Sequence, residues 1–197
     1  MIHEVLLNLA YLFYPKNICP WNENEKYLHT EEYKRLKSTI DLFNSDENKK
    51  LRNIIKAEFE EDLILKDFED FSRLDYQDRC LKYFLNVFEE GKLYSISLYL
   101  SILSPYYVIV KMQHPPEPFF SQSRIEELER ENTDTRKIKE LILDIENIVE
   151  NKLLYTKFPQ ALIHTIIDDI SFQDIYLGHF KMYNAFFNNE NITENDN

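Results

Sequence analysis

Three runs in the middle of the chain alternate apolar and polar side chains with a period of two. Leu81, Tyr83, Leu85 and Val87 alternate with Lys82, Phe84, Asn86 and Phe88. Ile96, Leu98, Leu100 and Ile102 alternate with Ser95, Ser97, Tyr99 and Ser101. Tyr106, Val108 and Val110 alternate with Tyr107, Ile109 and Lys111. Successive strand side chains point to opposite faces, so each run predicts a strand with two distinct faces. Glu89-Glu90-Gly91-Lys92 predicts a hairpin turn, with Gly91 free to take positive φ. Ser104-Pro105 turns the second run into the third. Three such strands make a stable antiparallel meander once helices cover a face.

The flanks repeat apolar residues at helical spacing. Residues 2–13 are apolar, and period alone does not decide between helix and strand there. Thr30 can cap a helix whose first turn holds Glu31 and Glu32 and whose stripe is Tyr33, Leu36, Ile40 and Phe43. Ser45 can cap the next, with Leu51, Ile54, Ile55 and Phe59 as its buried side. After the loop His114–Pro118, Ser123 and Glu126 match a capping box. Ile138, Leu141, Ile142, Ile145, Ile148 and Val149 predict the clearest helix. Pro159 is placed to open a further helix containing Leu162, Ile163, Ile166 and Ile167. Gly178 marks a turn before His179–Tyr183, a short last strand or hairpin arm. Residues 188–197 are polar and expected to be disordered. The reading is a single α+β domain over residues 1–187: a helical N-terminal third, then a central antiparallel meander covered by C-terminal helices. A sub-boundary is marked near residues 70–78.

Composition narrows the function. The two glycines, Gly91 and Gly178, exclude every clustered-glycine phosphate loop. The net charge of −12 argues against a nucleic-acid surface and against anionic membranes, and it suits a basic partner. Leu93 to Val110 is uncharged, but its period-two pattern and Pro105 oppose a membrane helix. Cys19 and Cys80 are far apart and in no CxxC, as free thiols in a reducing cytoplasm would be. The first residues lack a basic segment and a cleavage site, so no secretory signal is expected and the sequon at Asn191 carries little weight.

The densest charge lies between Glu58 and Asp78, where nine acids face Lys66 and Arg73, carrying −7 of the −12. As a docking surface it would offer Glu58, Glu61, Asp62, Asp67, Glu69 and Asp70 as steering charges, with Phe68 and Phe71 as apolar anchors. The same residues also suit a solvated helix end with both phenylalanines packed inward. No calcium-loop spacing is present. His164 and Asp168 would share a helix face as metal ligands or as a base and its carboxylate, with His179 or Asp174 completing the set; an exposed ion pair is the simpler account, since this spacing recurs by chance. Glu90-Gly91-Lys92 has the E-x-K form of half a metal-dependent nuclease site, but a hairpin turn accounts for it. Cys80 beside Arg79 is either a thiol of lowered pKa or a buried inert one.

The ending resembles small acidic bacterial proteins of toxin–immunity systems. The residues are Phe158-Pro159, Asp168-Asp169-Ile170, Gly178 and the aromatic run from Phe180 to Phe187. The abundance of Asn, Ile, Lys and Tyr suits an AT-rich bacterial genome. The resemblance implies a cytoplasmic, non-enzymatic protein that binds and neutralises a co-encoded basic toxin domain, with no metal or cofactor. A structural or adaptor component of a phage or secretion assembly is the second expectation. A metal-dependent enzyme using His164 and Asp168 is the third.

Overall fold

The period-two runs pair into one sheet. The computed structural model describes residues 1–63, 68–89, 92–115, 121–123, 126–127, 138–190 and 192. Its strands are β1 (Glu69–Asp70), β2 (Cys80–Glu89), β3 (Lys92–Ser101), β4 (Tyr106–His114) and β5 (Thr156–Lys157), in the spatial order of the chain. The first four are antiparallel neighbours, and β5 lies parallel to β4. β2 and β3 stay in register from Cys80 opposite Ser101 to Glu89 opposite Lys92, so two residues join them. Those residues, Glu90 and Gly91, lie outside the described set. Leu93 to Val110 thus forms most of β3 and half of β4. No helix among the described residues is long and apolar enough to cross a membrane.

Helices flank the strands on both sides in sequence. They are α1 (Ile2–Ala10), α2 (Asn24–Leu28), α3 (Glu31–Phe43), α4 (Asp46–Leu63), α5 (Ile138–Asn151) and α6 (Met182–Phe186). The ambiguous residues 2–13 therefore begin as a helix. Thr30 caps α3 by accepting from the Tyr33 amide at 3.3 Å, and Ser45 accepts from the Asn48 amide at 3.4 Å at the start of α4. The stripe of α5 is buried as its spacing requires. The Ser123–Glu126 capping box spans residues outside the described set.

One face of the sheet carries Leu81, Tyr83, Leu85, Ile96, Leu98, Leu100, Tyr107 and Ile109, all buried. α4 and α5 cover it. The Tyr83 hydroxyl donates to the Arg52 carbonyl and the Tyr107 hydroxyl to Glu150 at 2.7 Å. The cover by α4 is narrower than its stripe predicts. Phe59 is fully buried, but Leu51 and Ile54 are exposed.

The opposite face is covered largely by the two ends of the chain locked together. Tyr14 in the turn after α1 donates its hydroxyl to Ala185 in α6 at 2.9 Å. Lys16 bridges Ile170, and the Tyr27 hydroxyl donates to the Ser171 carbonyl. Residues 158–190 lie over Cys80, Lys82 and Tyr99, with Tyr99 edge-on to Tyr183.

This C-terminal segment departs most from expectation. Only one turn of 3-10 helix, Gln160–Leu162, follows Pro159. Ile163, Thr165, Ile166 and Ile167 are β-branched and favour extended backbone. Ile166 pairs with Lys181, and the Ile167 amide donates to the Phe180 carbonyl at 2.7 Å. The expected strand at His179–Tyr183 is reduced to that single bridge, because α6 begins at Met182. Of the tail 188–197 expected to be disordered, residues 188–190 and 192 are placed, and the rest lies outside the described residues. Asn188 is fully buried, and Ile192 is almost so. Asn188 receives the Tyr183 hydroxyl, which ties the polar segment to the core. Gly178 has φ +78°, as its turn requires.

Candidate functional site

A cleft of about 710 Å³ opens where four separate segments meet: Pro20–Asn24, Arg73–Asp78, Gln173–Asp174 and Asn189–Glu190. Each wall has a local cause. Leu74 is buried and anchors a turn of 3-10 helix, Leu74–Tyr76, which leaves Tyr76 75% exposed. Gln77 then takes a left-handed backbone, φ +63°, which a non-glycine residue adopts only when its surroundings hold it. Here Arg79 holds it. The Arg79 side chain is fully buried and donates to the Gln77 carbonyl at 2.9 Å, the Asn184 carbonyl and the Asn189 amide oxygen.

The facing wall is a tight hairpin in which Phe172 and Ile175 exchange two backbone hydrogen bonds. Its tip carries Gln173, also left-handed at φ +51°, and Asp174. Gln173 donates to the Tyr76 carbonyl at 3.0 Å, tying this tip to the opposite turn. Asn189 donates to Gln173 at 2.6 Å and to Asp174 at 2.9 Å. Two of the four non-glycine residues with positive φ among the described residues, Gln77 and Gln173, thus sit at this cleft. Strain of that kind concentrates at binding and active sites.

The rim is aromatic. Trp21, in the loop closed by hydrogen bonds from the Asn22 and Glu23 amides to the Cys19 carbonyl, is 61% exposed. It stacks with Tyr176, 57% exposed, with ring centroids 6.4 Å apart and planes 24° apart. Exposed Trp and Tyr beside Arg are the residues most enriched where proteins bind other proteins.

The floor is ionic. Arg73 reaches Asp78 at 3.3 Å and Glu190 at 3.0 Å. Glu190 also accepts from Lys82 at 3.0 Å and from the Tyr99 hydroxyl at 2.7 Å. Burial pushes the Asp78 carboxyl above its ordinary range, and the Arg73 and Arg79 guanidinium groups offset this only in part. Burial acts the same way on Glu190. There the Tyr99 hydroxyl and the Lys82 and Arg73 cations outweigh it and hold the carboxyl below its ordinary range. Carboxylates pushed apart in this way also mark acid–base catalysts. Both oxygens of Glu190 already accept bonds, however, so its geometry is that of a tether for residues 188–190.

The site residues expected from sequence are placed elsewhere, or differently. Phe68 is fully buried, 4.6 Å from Phe59 and stacked on Tyr83 at 5.5 Å, and so cannot anchor a partner. It follows α4 where the chain turns into β1, and its ring completes the core under the sheet. Phe71 is 47% exposed and packs edge-on to Phe84. Glu58 pairs with Lys152 at 3.0 Å, and Asp70 with Arg52 at 3.6 Å. Glu61 and Glu69 are exposed. Asp62 lies in the last turn of α4, and Asp67 is outside the described residues. The acidic segment does contribute to the cleft, but through its far end: Arg73, Tyr76 and Asp78.

His164 and Asp168 lose the helix that put them on one face. No group of three or more His, Cys, Asp or Glu side chains among the described residues is arranged to hold a metal ion. Burial drives the Cys80 thiol well above its ordinary pKa despite Arg79 next to it, so the lowered-pKa reading fails. The sequence reading assigns no role to Trp21 or Tyr176, and names Asp174 only as an optional metal ligand beside His164 and Asp168. The signal available was the sole tryptophan, placed after Pro20 in a loop. No protein-family model, curated protein or solved structure matches the chain, so its function is argued from its own geometry.

Proposed function

We propose that this chain is a non-catalytic binding protein that docks on a basic protein surface, in the manner of an immunity protein covering a cytoplasmic toxin. The observation that carries the reading is the cleft. It joins the exposed Trp21 and Tyr76, with Tyr176 stacked on Trp21, to three carboxylates and one arginine in a chain of net charge −12. Such a surface offers apolar anchors for affinity and a negative field for encounter. Glu61 and Glu69 would add to that field without anchoring the partner.

The test is capture of partners by the tagged chain, eluted in a salt gradient, in parallel with a Trp21→Ala/Tyr176→Ala double variant. A basic partner at one-to-one stoichiometry, released by salt and lost from the variant, supports the reading. A partner retained equally by the variant, or a neutral or acidic one, removes it. The exposed Leu51 and Ile54 favour a second reading, a self-assembling structural component. Light scattering that finds a stable homo-oligomer, dispersed by Ile54→Glu, would support that instead.

A further inference from the structure

We infer that the Trp21–Tyr176 pair and Asp174 form a receptor for an arginine side chain of the partner, an inference that rests on the binding reading above. The two rings are near parallel and more than half exposed, with centroids 6.4 Å apart. That lies at the wide end of aromatic contacts. A planar group held between two rings needs about 7 Å between their planes, so the two exposed side chains part to admit one.

The charge around this slot is set for a cation. Asp174 lies two residues before Tyr176 and lines the same cleft. Its Oδ1 accepts from the Asn189 amide at 2.9 Å, and no lysine or arginine among the described residues pairs with it. Among the described residues Arg73 is the one cation lining the cleft, and Asp78 and Glu190 already pair with it. A guest cation therefore meets a carboxylate that no cation among the described residues pairs with, in a cleft that Trp21 also lines. Each contributes attraction, and the two act on opposite parts of the same group.

Shape selects arginine over lysine. A guanidinium is flat, stacks on aromatic rings and offers a fork of N–H donors that a carboxylate accepts in pairs. An ammonium is compact and more strongly hydrated, so it gains less from a slot between rings. The fold already uses the contact internally: the Arg79 guanidinium lies 4.9 Å from the centre of the Phe172 ring, at the base of the same hairpin.

Trp21 is the only tryptophan in the chain, so its fluorescence reports on the slot directly. The probe is an arginine hexapeptide, with a lysine hexapeptide and an uncharged citrulline hexapeptide as controls. Binding is followed by Trp21 fluorescence and by calorimetry. A saturable fluorescence change is expected with the arginine peptide. It should be at least about tenfold weaker with citrulline, weaker with lysine, and reduced about tenfold in Asp174→Asn and in Tyr176→Ala. Both variants are surface changes, and circular dichroism checks that they fold. Equal responses to arginine and citrulline, or unchanged binding in both variants, would overturn the receptor. So would equal binding of arginine and lysine that vanishes in salt, the mark of a diffuse field. Calorimetric binding without a Trp21 response would discard the slot and leave the basic-partner reading standing. Absence of binding by either measure would count against both.

Discussion

The Arg79 guanidinium grips a single carbonyl, that of Asn184, through Nε at 3.1 Å and Nη2 at 2.6 Å. The contact joins the start of β2 to α6, which are 105 residues apart in sequence. Its other donors serve the Gln77 carbonyl and Asn189. Arg79→Ala strands these acceptors and opens a cavity, and is expected to cost about 3–5 kcal/mol. Arg79→Met refills much of the volume without the donors, so the gap between the two variants in urea unfolding separates packing from hydrogen bonding. Full stability in Arg79→Ala would refute the role assigned to it.

Phe68 and Phe71, three residues apart, should respond oppositely to truncation. Phe68 is enclosed by Phe59 and Tyr83, and Phe68→Ala should cost about 3–5 kcal/mol. Phe71 is half exposed, and Phe71→Ala should cost less than about 1 kcal/mol. Denaturant midpoints for the two variants decide it. Similar losses would mean that Phe68 is not in the core.

That contrast shows what the sequence makes legible. Alternation from Leu81 to Lys111 settles strands and faces, because a strand's period is exact and a two-residue turn locks its register. Thr30 and the stripe of α5 are equally readable, since caps and helical periods are local. The cleft is not local. Trp21, Tyr76, Asp174 and Glu190 come from four segments, and nothing in their neighbours tells an exposed ring from a buried one. The acidic segment misled for a related reason. Charge density is visible in sequence, but the pairing of Glu58 with Lys152 and of Asp70 with Arg52 is tertiary. Residues 163–167 show the same limit: apolar spacing suited a helix, and pairing with Lys181 prevailed over it.

Glu190 makes stability pH-dependent. Its carboxyl is held below the ordinary value by Tyr99, Lys82 and Arg73 against the opposing effect of burial. A lowered folded-state pKa contributes stability that is present above the unfolded value, about 4.3, and is lost as pH falls through the folded one. Asp78 acts in reverse, since burial raises its carboxyl: its contribution is full at low pH and lost as pH rises through its folded value. Thermal melts of the wild type and Glu190→Gln should therefore differ most near neutrality and converge below about pH 4. Asp78→Asn should narrow the near-neutral penalty. Parallel curves for wild type and Glu190→Gln at every pH would refute the linkage.

The cysteine thiols should be silent in the folded state. Both are buried, and Cys80 is held protonated by its surroundings. The thiolate is the reactive form, so neither should react with a thiol-specific reagent at pH 8 until denaturant is added, whereupon both react together. Rapid native labelling of Cys80 would contradict its burial.

The stitching of the chain's two ends carries a consequence for synthesis. Tyr14 is bonded to a partner 171 residues downstream, and Tyr27 to one 144 downstream. On the ribosome, the first thirty residues emerge with nothing to pack against, and the Tyr99 face of the sheet stays bare. The segment that covers both follows more than a hundred residues behind the first of them. The meander can form early, but closure of the fold must wait for Phe186 and Glu190 to leave the exit tunnel. Until then the nascent chain presents apolar surface in both segments, open to chaperones.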